Sequence, residues 1–298
     1  MQNRDAFSSY HPLVNFLYFA LVLGCTMFFM HPVSLCISLA GALSYGIYLK
    51  GWKMVRFTLF YLLPMMLMAA ILNPAFNHAG VTILTYLPSG NPLTLESIAY
   101  GIGAAGMLAA VILWFSCYTE VMTSDKFVYL FGRIIPALSL ILSMTLRFVP
   151  KYQAQFKTVR EAQKCIGRDI SDGSILSRIK HTVIIFSIMV TWALENAIET
   201  ADSMKSRGYG LKGRTAFSIY RFAGRDRMAL LWLLFCGISI GIAAAMGGME
   251  WQYFPVIQGM ELTPLTIGFH LIYMALCLTP VFLNRREDRK WNCLQSEI

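Results

Sequence analysis

The chain has 298 residues, of which 56% are hydrophobic and only 14% charged, and its mean hydropathy is +0.55. These values exceed what a soluble domain of this length carries; they exclude that class and leave an all-α polytopic membrane protein. The net charge of +9 is concentrated: residues 147–227 hold fifteen of the twenty-five Lys and Arg but only seven of the sixteen Asp and Glu.

A helix needs roughly twenty apolar residues to cross a bilayer core of about 30 Å. Six stretches meet that need, at about 13–30, 33–49, 57–72, 97–118, 228–246 and 265–283. The first is expected to be retained, because Arg4 and Asp5 leave a weak charged region before it and no small-residue cleavage site follows. Lys50, Lys53 and Arg56 lie between the second and third stretches, whereas residues 73–95 and 247–264 contain no Lys or Arg. Cations mark the cytoplasmic side. With Arg285, Arg286, Arg289 and Lys290 in the tail, the expectation is a multi-pass protein of the cell membrane with both termini cytoplasmic.

Two further apolar stretches are expected not to cross. Residues 127–149 contain Arg133 and Pro136, and a crossing there would put the basic segment outside, so this stretch reads as an interfacial or re-entrant helix. The run at 182–194 is too short and leads into a charged helix. Asn73-Pro74 is expected to end the third span, and 88–92 to form an external turn beside a short amphipathic segment at 81–87. The chain is expected to divide into N-terminal membrane helices (1–125), an interfacial helix with long cytoplasmic helices (126–227), and C-terminal membrane helices with a basic tail (228–298).

The insertion carries two helical patterns. After Pro150, Tyr152, Phe156, Val159 and Ile166 share one side, and Gly167 supplies a C-cap before a turn at Ser171-Asp172-Gly173. A second helix then runs without Gly or Pro over 174–207, roughly 50 Å at 1.5 Å per residue, and stops at Gly208. Glu195, Glu199 and Asp202 form an acidic row on it. That row reads either as an ion-pair latch against Lys157, Arg160 or Lys164, or as a solvated face.

Other motifs carry little. Residues 101–106 spell GxGxxG inside an uncharged span with no preceding strand, which argues against dinucleotide binding. The small residues Gly101, Ala105 and Ala109 instead offer a close-packing face, toward this chain or toward a separate subunit. The seven cysteines form no CxxC pair and the five histidines no shared-face metal spacing. No P-loop occurs, so any ATP would be bound by a partner.

The pattern LRFVPKYQAQFKTVREAQ at 146–163, followed by ADSMKSRGYG at 201–210, resembles the transmembrane T component of energy-coupling factor (ECF) transporters, the CbiQ/EcfT-like family. That resemblance implies two short motifs, Ala-Arg-Gly or similar, at the ends of two long cytoplasmic helices that dock onto a pair of ATPases. Ser206-Arg207-Gly208 matches the second motif. The first falls on Cys165-Ile166-Gly167, where Ile166 stands at the usual arginine position and either Lys164 or Arg168 could supply the charge. A guanidinium suits such a tip because it stays charged and makes directed hydrogen bonds, each contributing on the order of 1.5–3 kcal/mol.

The resemblance further implies a non-catalytic subunit without a cofactor or metal. Its partners would be two ABC-type ATPases, a small substrate-binding S component and the lipid bilayer, with no nucleic acid. ATP-driven motion of the ATPases would tilt the coupling helices and reorient the S component for uptake of a vitamin or a transition metal such as cobalt or nickel. The alternatives are a conventional ABC permease that binds substrate itself, an intramembrane enzyme, and a scaffold whose basic segment binds anionic lipid. Glu161-Ala162-Gln163 with Gly167 resembles the start of a permease EAA loop, but the apolar-Pro element expected after it is missing.

Overall fold

The computed structural model describes residues 5–86, 92–132, 136–169, 171, 174–211, 220–259 and 263–296, and they are overwhelmingly helical. The chain forms two compact units. One comprises Met1–Lys126 with Tyr220–Ile298, and the other Phe127–Ile219.

The first unit is built on α1 (Pro12–Phe28), α2 (Pro32–Lys50), α3 (Trp52–Phe57), α4 (Leu63–Phe76) and α5 (Leu95–Val121). Helix α6 (Ser124–Gly132) starts at its edge, α7 (Pro136–Cys165) and α8 (Ile175–Ser206) belong to the second unit, and α9 (Gly224–Ala245) and α10 (Pro264–Ser296) complete the first. A π-helical stretch, Thr58–Leu62, joins α3 to α4 without a break in the rod. Two His-Pro pairs start helices in the same way. His11 and His31 are N-caps whose ring nitrogens accept from the amides of Leu13 (3.3 Å) and Val33 (3.2 Å), and each is followed by a proline whose missing N–H the first turn does not need.

The core of this unit lies among α1, α2, α5, α9 and α10. Trp114 is fully buried, with Tyr18 edge-on at 6.0 Å and Phe7 against Tyr18 at 5.1 Å. The polar atoms that such rings bring inside are paired. The Trp114 indole donates to Ser38 Oγ (2.9 Å), Thr26 and Ser38 hydroxyls meet at 2.7 Å, and the Tyr18 hydroxyl donates to the Cys277 carbonyl (3.1 Å). In hydrocarbon an unpaired polar group has no water to turn to, so this network fixes how the helices face one another. The small-residue face of α5 packs within the chain: Gly101 lies against the backbone of α4, and Ala105 and Ala109 are buried.

Among the described residues six helices are long and apolar enough to cross a membrane: α2, the continuous rod Trp52–Phe76, α5, α8, α9 and α10. This set differs from the sequence expectation at two places. Helix α1 is shorter than the expected stretch, 17 residues, because Phe29 is already extended. Helix α8 qualifies as a candidate span by length and composition, since the apolar run at 182–194 sits inside 32 continuous helical residues.

Other boundaries also moved. Pro74 lies inside α4, which continues to Phe76, because a proline near a helix end removes one hydrogen bond without ending the last turn. The expected amphipathic segment at 81–87 holds a strand: β1 (Ile83–Tyr86) pairs antiparallel with β2 (Pro92–Thr94), while most of the expected turn lies outside the described residues. A second small hairpin, β3 (Trp251–Gln252) with β4 (Gln258–Gly259), precedes α10. The expected interfacial helix at 127–149 is divided between α6 and α7, with Arg133 outside the described residues. Helix α7 then runs through Pro150 as one rod into the basic amphipathic part.

Candidate functional site: two capped helix tips

Helices α7 and α8 pack along a seam of aromatic and aliphatic side chains. Tyr152 meets Trp192 edge-on at 5.4 Å, the Lys151 ammonium lies 5.4 Å from the same ring and donates to the Asn196 carboxamide, and Val159 and Ile185 are buried. Near the turn, the His181 ring is 3.1 Å from the Asp169 carbonyl. Residues 151–152 thus meet 192–196 while 169 meets 181, so the helices run in opposite senses. From His181 to Ser206, α8 advances about 37 Å at 1.5 Å per residue, which sets the approximate separation of the two helix C-termini.

Both C-termini close in the same way. At the end of α7 the Arg168 amide donates to the Gln163 carbonyl (2.9 Å), the Gly167 amide donates to the Lys164 carbonyl (2.9 Å), and Gly167 has φ +79°. At the end of α8 the Tyr209 amide donates to Met204 (3.0 Å), the Gly208 amide donates to Lys205 (2.9 Å), and Gly208 has φ +78°. Each is a Schellman motif, in which a left-handed glycine lets two amides reach back to carbonyls the helix leaves unpaired.

This register aligns the tips residue by residue. Lys164 corresponds to Lys205, Cys165 to Ser206, Ile166 to Arg207, Gly167 to Gly208 and Arg168 to Tyr209. Ile166 is 66% exposed and Arg207 is exposed, so each tip presents the residue just before its glycine to the outside. The Ser206 hydroxyl turns inward and donates to the Ser203 carbonyl (2.9 Å).

The ion pairs at this end of α7 are local. The Arg160 guanidinium and the Lys164 ammonium lie 3.9 and 3.5 Å from the two carboxylate oxygens of Asp169, whose side chain is almost wholly buried. Glu195, Glu199 and Asp202 are exposed and form no ion pair among the described residues. The Gly167 reversal folds Asp169 back over the last turns of α7, closer to those cations than the acidic row of α8. Sequence reasoning passed over Asp169, and the signal available was an acid two residues beyond a glycine cap that follows cations four apart. Among the described residues no three or more His, Cys, Asp or Glu gather as a metal site requires.

A second cluster missed from sequence lies in the first unit, where residues 8–11 hold the chain on both sides of residues 127–219. Lys126, only 5% exposed, donates to the Ser8 carbonyl (2.6 Å), the Ser8 hydroxyl (3.0 Å) and the Val121 carbonyl (2.8 Å). Asp226, 2% exposed, accepts from the amides of His11 (3.1 Å) and Ala223 (2.8 Å). Arg225 donates to the Ser9 carbonyl (2.8 Å) and covers the Tyr10 ring at 5.0 Å. Burial draws the Lys126 amine below its ordinary pKa, with Asp5 opposing that shift.

The family model described as CbiQ, cobalt transport protein, matches residues 8–217, a stretch that includes both tips. The chain is also similar to the energy-coupling factor transporter transmembrane protein EcfT of Lactobacillus helveticus, 31% identical over 101 residues, or 34% of this chain and 36% of that one. The corresponding EcfT 1 of Listeria monocytogenes is 33% identical over 106 residues, covering 35% and 40%. EcfT of Lactococcus lactis is 31% identical over 104 residues, covering 35% and 39%. The matches thus span under half the length of these curated relatives. With six helices among the described residues apolar and long enough to cross a bilayer and a family match over residues 8–217, this is a multi-pass membrane protein, and the chain belongs to the CbiQ cobalt transport protein family.

Proposed function

We propose that this chain is the non-catalytic transmembrane scaffold of an ECF-type ABC importer, coupling ATP hydrolysis in two partner ATPases to movement of a small substrate-binding S component. The tips at Cys165-Ile166-Gly167 and Ser206-Arg207-Gly208 dock on the ATPases from the cytoplasm, so in this reading α8, although long and apolar enough to cross a membrane, does not cross it, and both chain termini lie on the same side. The observation that carries this reading is the pair of like-capped tips about 37 Å apart on oppositely running helices. Two tips that far apart suit two docking grooves rather than one. When the ATPase pair closes or opens, the packed seam around Trp192 passes the displacement from one helix to the other, and the S component turns with them to release a vitamin or transition metal inside. Residues 1–125 and 228–298 then form the membrane frame and 126–227 the coupling module.

The test is a mild-detergent pull-down of the tagged full chain from its native membrane, wild type against Arg207→Glu, with bound subunits identified by mass spectrometry. Recovery of ABC-type ATPases and a small membrane protein, with the ATPases depleted by the substitution, is the expected result. Equal ATPase recovery and equal uptake by both chains would overturn the role given to Arg207.

A further inference from the structure

We infer that Arg168 is the cation the first tip presents to its ATPase, and that Asp169 makes the choice by holding Lys164 back; this rests on the ATPase-docking reading above. In the shared register of the two tips, the residue equivalent to Arg207 is Ile166, which brings no charge. Two cations flank it, and the structure treats them differently.

Lys164 lies 3.5 Å from Asp169, on a carboxylate that is 4% exposed. Asp169 also faces Arg160 at 3.9 Å, accepts from the Ser171 amide (3.4 Å), and its carbonyl meets the His181 ring of α8. Moving Lys164 out to a partner would weaken the compensation of a buried carboxylate, which is unfavourable. Arg168 is exposed, and among the described residues its guanidinium has no partner. Its backbone is fixed, because its own amide makes the longer hydrogen bond of the Schellman motif.

The tip therefore offers an apolar knob, Ile166, and two residues on a planar guanidinium with five donors. The surface that fits is a groove with an apolar slot beside a carboxylate or a pair of carbonyls. The second tip carries both roles differently, with Arg207 at the knob position and Tyr209 where the first tip has Arg168.

Cys165 supplies the probe, since it is exposed on the first tip, and the other exposed thiols of the described residues, Cys36 and Cys293, can be changed to Ser. The full chain, in complex with the ABC-type ATPases that purify with it, is treated with a maleimide and modification of Cys165 is timed. ATPases should protect Cys165. Arg168→Ala should weaken that protection about tenfold or more, whereas Lys164→Ala should leave it near wild type. Adding Asp169→Asn to Arg168→Ala should restore part of the protection by releasing Lys164, a rescue that a purely structural Asp169 would not give.

Protection indifferent to Arg168→Ala, or lost with Lys164→Ala alone, overturns the assignment of Arg168. Absence of rescue overturns the role of Asp169. Ser206→Cys in a Cys165→Ser chain reports the second tip separately. If that thiol is protected while Arg168→Ala changes nothing at Cys165, this inference fails and the docking reading stands. If neither thiol is protected, the docking reading itself fails.

Discussion

A Cβ built on Gly101 would stand 2.8 Å from the carbonyl oxygen of Ala70, so α4 and α5 meet backbone to backbone. Pro74, four residues beyond Ala70, has no N–H to give that carbonyl, and the Pro74 ring is itself 3.3 Å from the same added Cβ. The contact involves main chain and a ring, neither of which moves aside cheaply. Gly101→Ala should therefore lower stability by about 1–3 kcal/mol, the usual range for overpacking. Thermal unfolding in detergent checks this, with Gly106→Ala as the control, since nothing lies within 4 Å of a Cβ there. Equal midpoints for the two variants would mean that the helices do not pack this closely.

The hold of Lys126 on residues 8–11 makes a second expectation. Lys126→Met keeps the stem but removes all three hydrogen bonds of the ammonium. A buried carbonyl left without a donor costs about 1–3 kcal/mol. Proteolysis of the N-terminal segment in the intact chain should therefore become faster in the variant. An unchanged cleavage rate would show that Lys126 does not fasten that segment.

Acid should loosen the same region through His11. Burial lowers its pKa below the ordinary 6.5, outweighing the attraction of Asp226, and the neutral ring accepts from the Leu13 amide as an N-cap. The neutral form belongs to the folded state, so its stabilisation is present above 6.5 and is lost as pH falls through that value toward the depressed folded one. His11→Asn retains a capping side chain and does not titrate. Melting curves taken on either side of the imidazole range should show a smaller acid-induced drop for the variant, and parallel drops would remove His11 as the cause.

At the second tip, charge and shape can be separated. If the tips dock on ATPases as proposed, Arg207→Glu should weaken that binding about tenfold or more, whereas Arg207→Lys keeps the charge, loses the planar fork and should fall between. Titration of immobilised chain with the purified ATPases orders the three. Arg207→Lys as weak as Arg207→Glu would assign the contact to guanidinium geometry alone.

The site was legible where backbone chemistry is local. Gly167 and Gly208 announced helix ends, and the helix between Ser174 and Arg207 could be read from the absence of Gly and Pro; both ends stand within one residue of the expectation. The cation partners were not legible. Asp169 lies close to Arg160 and Lys164 only because Gly167 reverses the chain, whereas the acidic row satisfied the helical spacing rule and still faces outward. Spacing along one helix says which side chains are neighbours on it, not what a turn folds back over it.

Composition and hydropathy by themselves determined the solvent, the all-α architecture and most of the apolar rods, because uninterrupted apolar runs of about twenty residues cross a bilayer as helices that satisfy their own backbone. They also located the tips, since a glycine cap is written in a few adjacent residues. Tertiary structure alone decided that Gly101 faces Ala70, that α7 passes through Pro150 unbroken, that Asp169 folds back onto Arg160 and Lys164, and that Lys126 and Asp226 both meet residues 8–11. Each joins residues whose neighbourhood is set by packing and chain reversal, and no local propensity encodes such a contact.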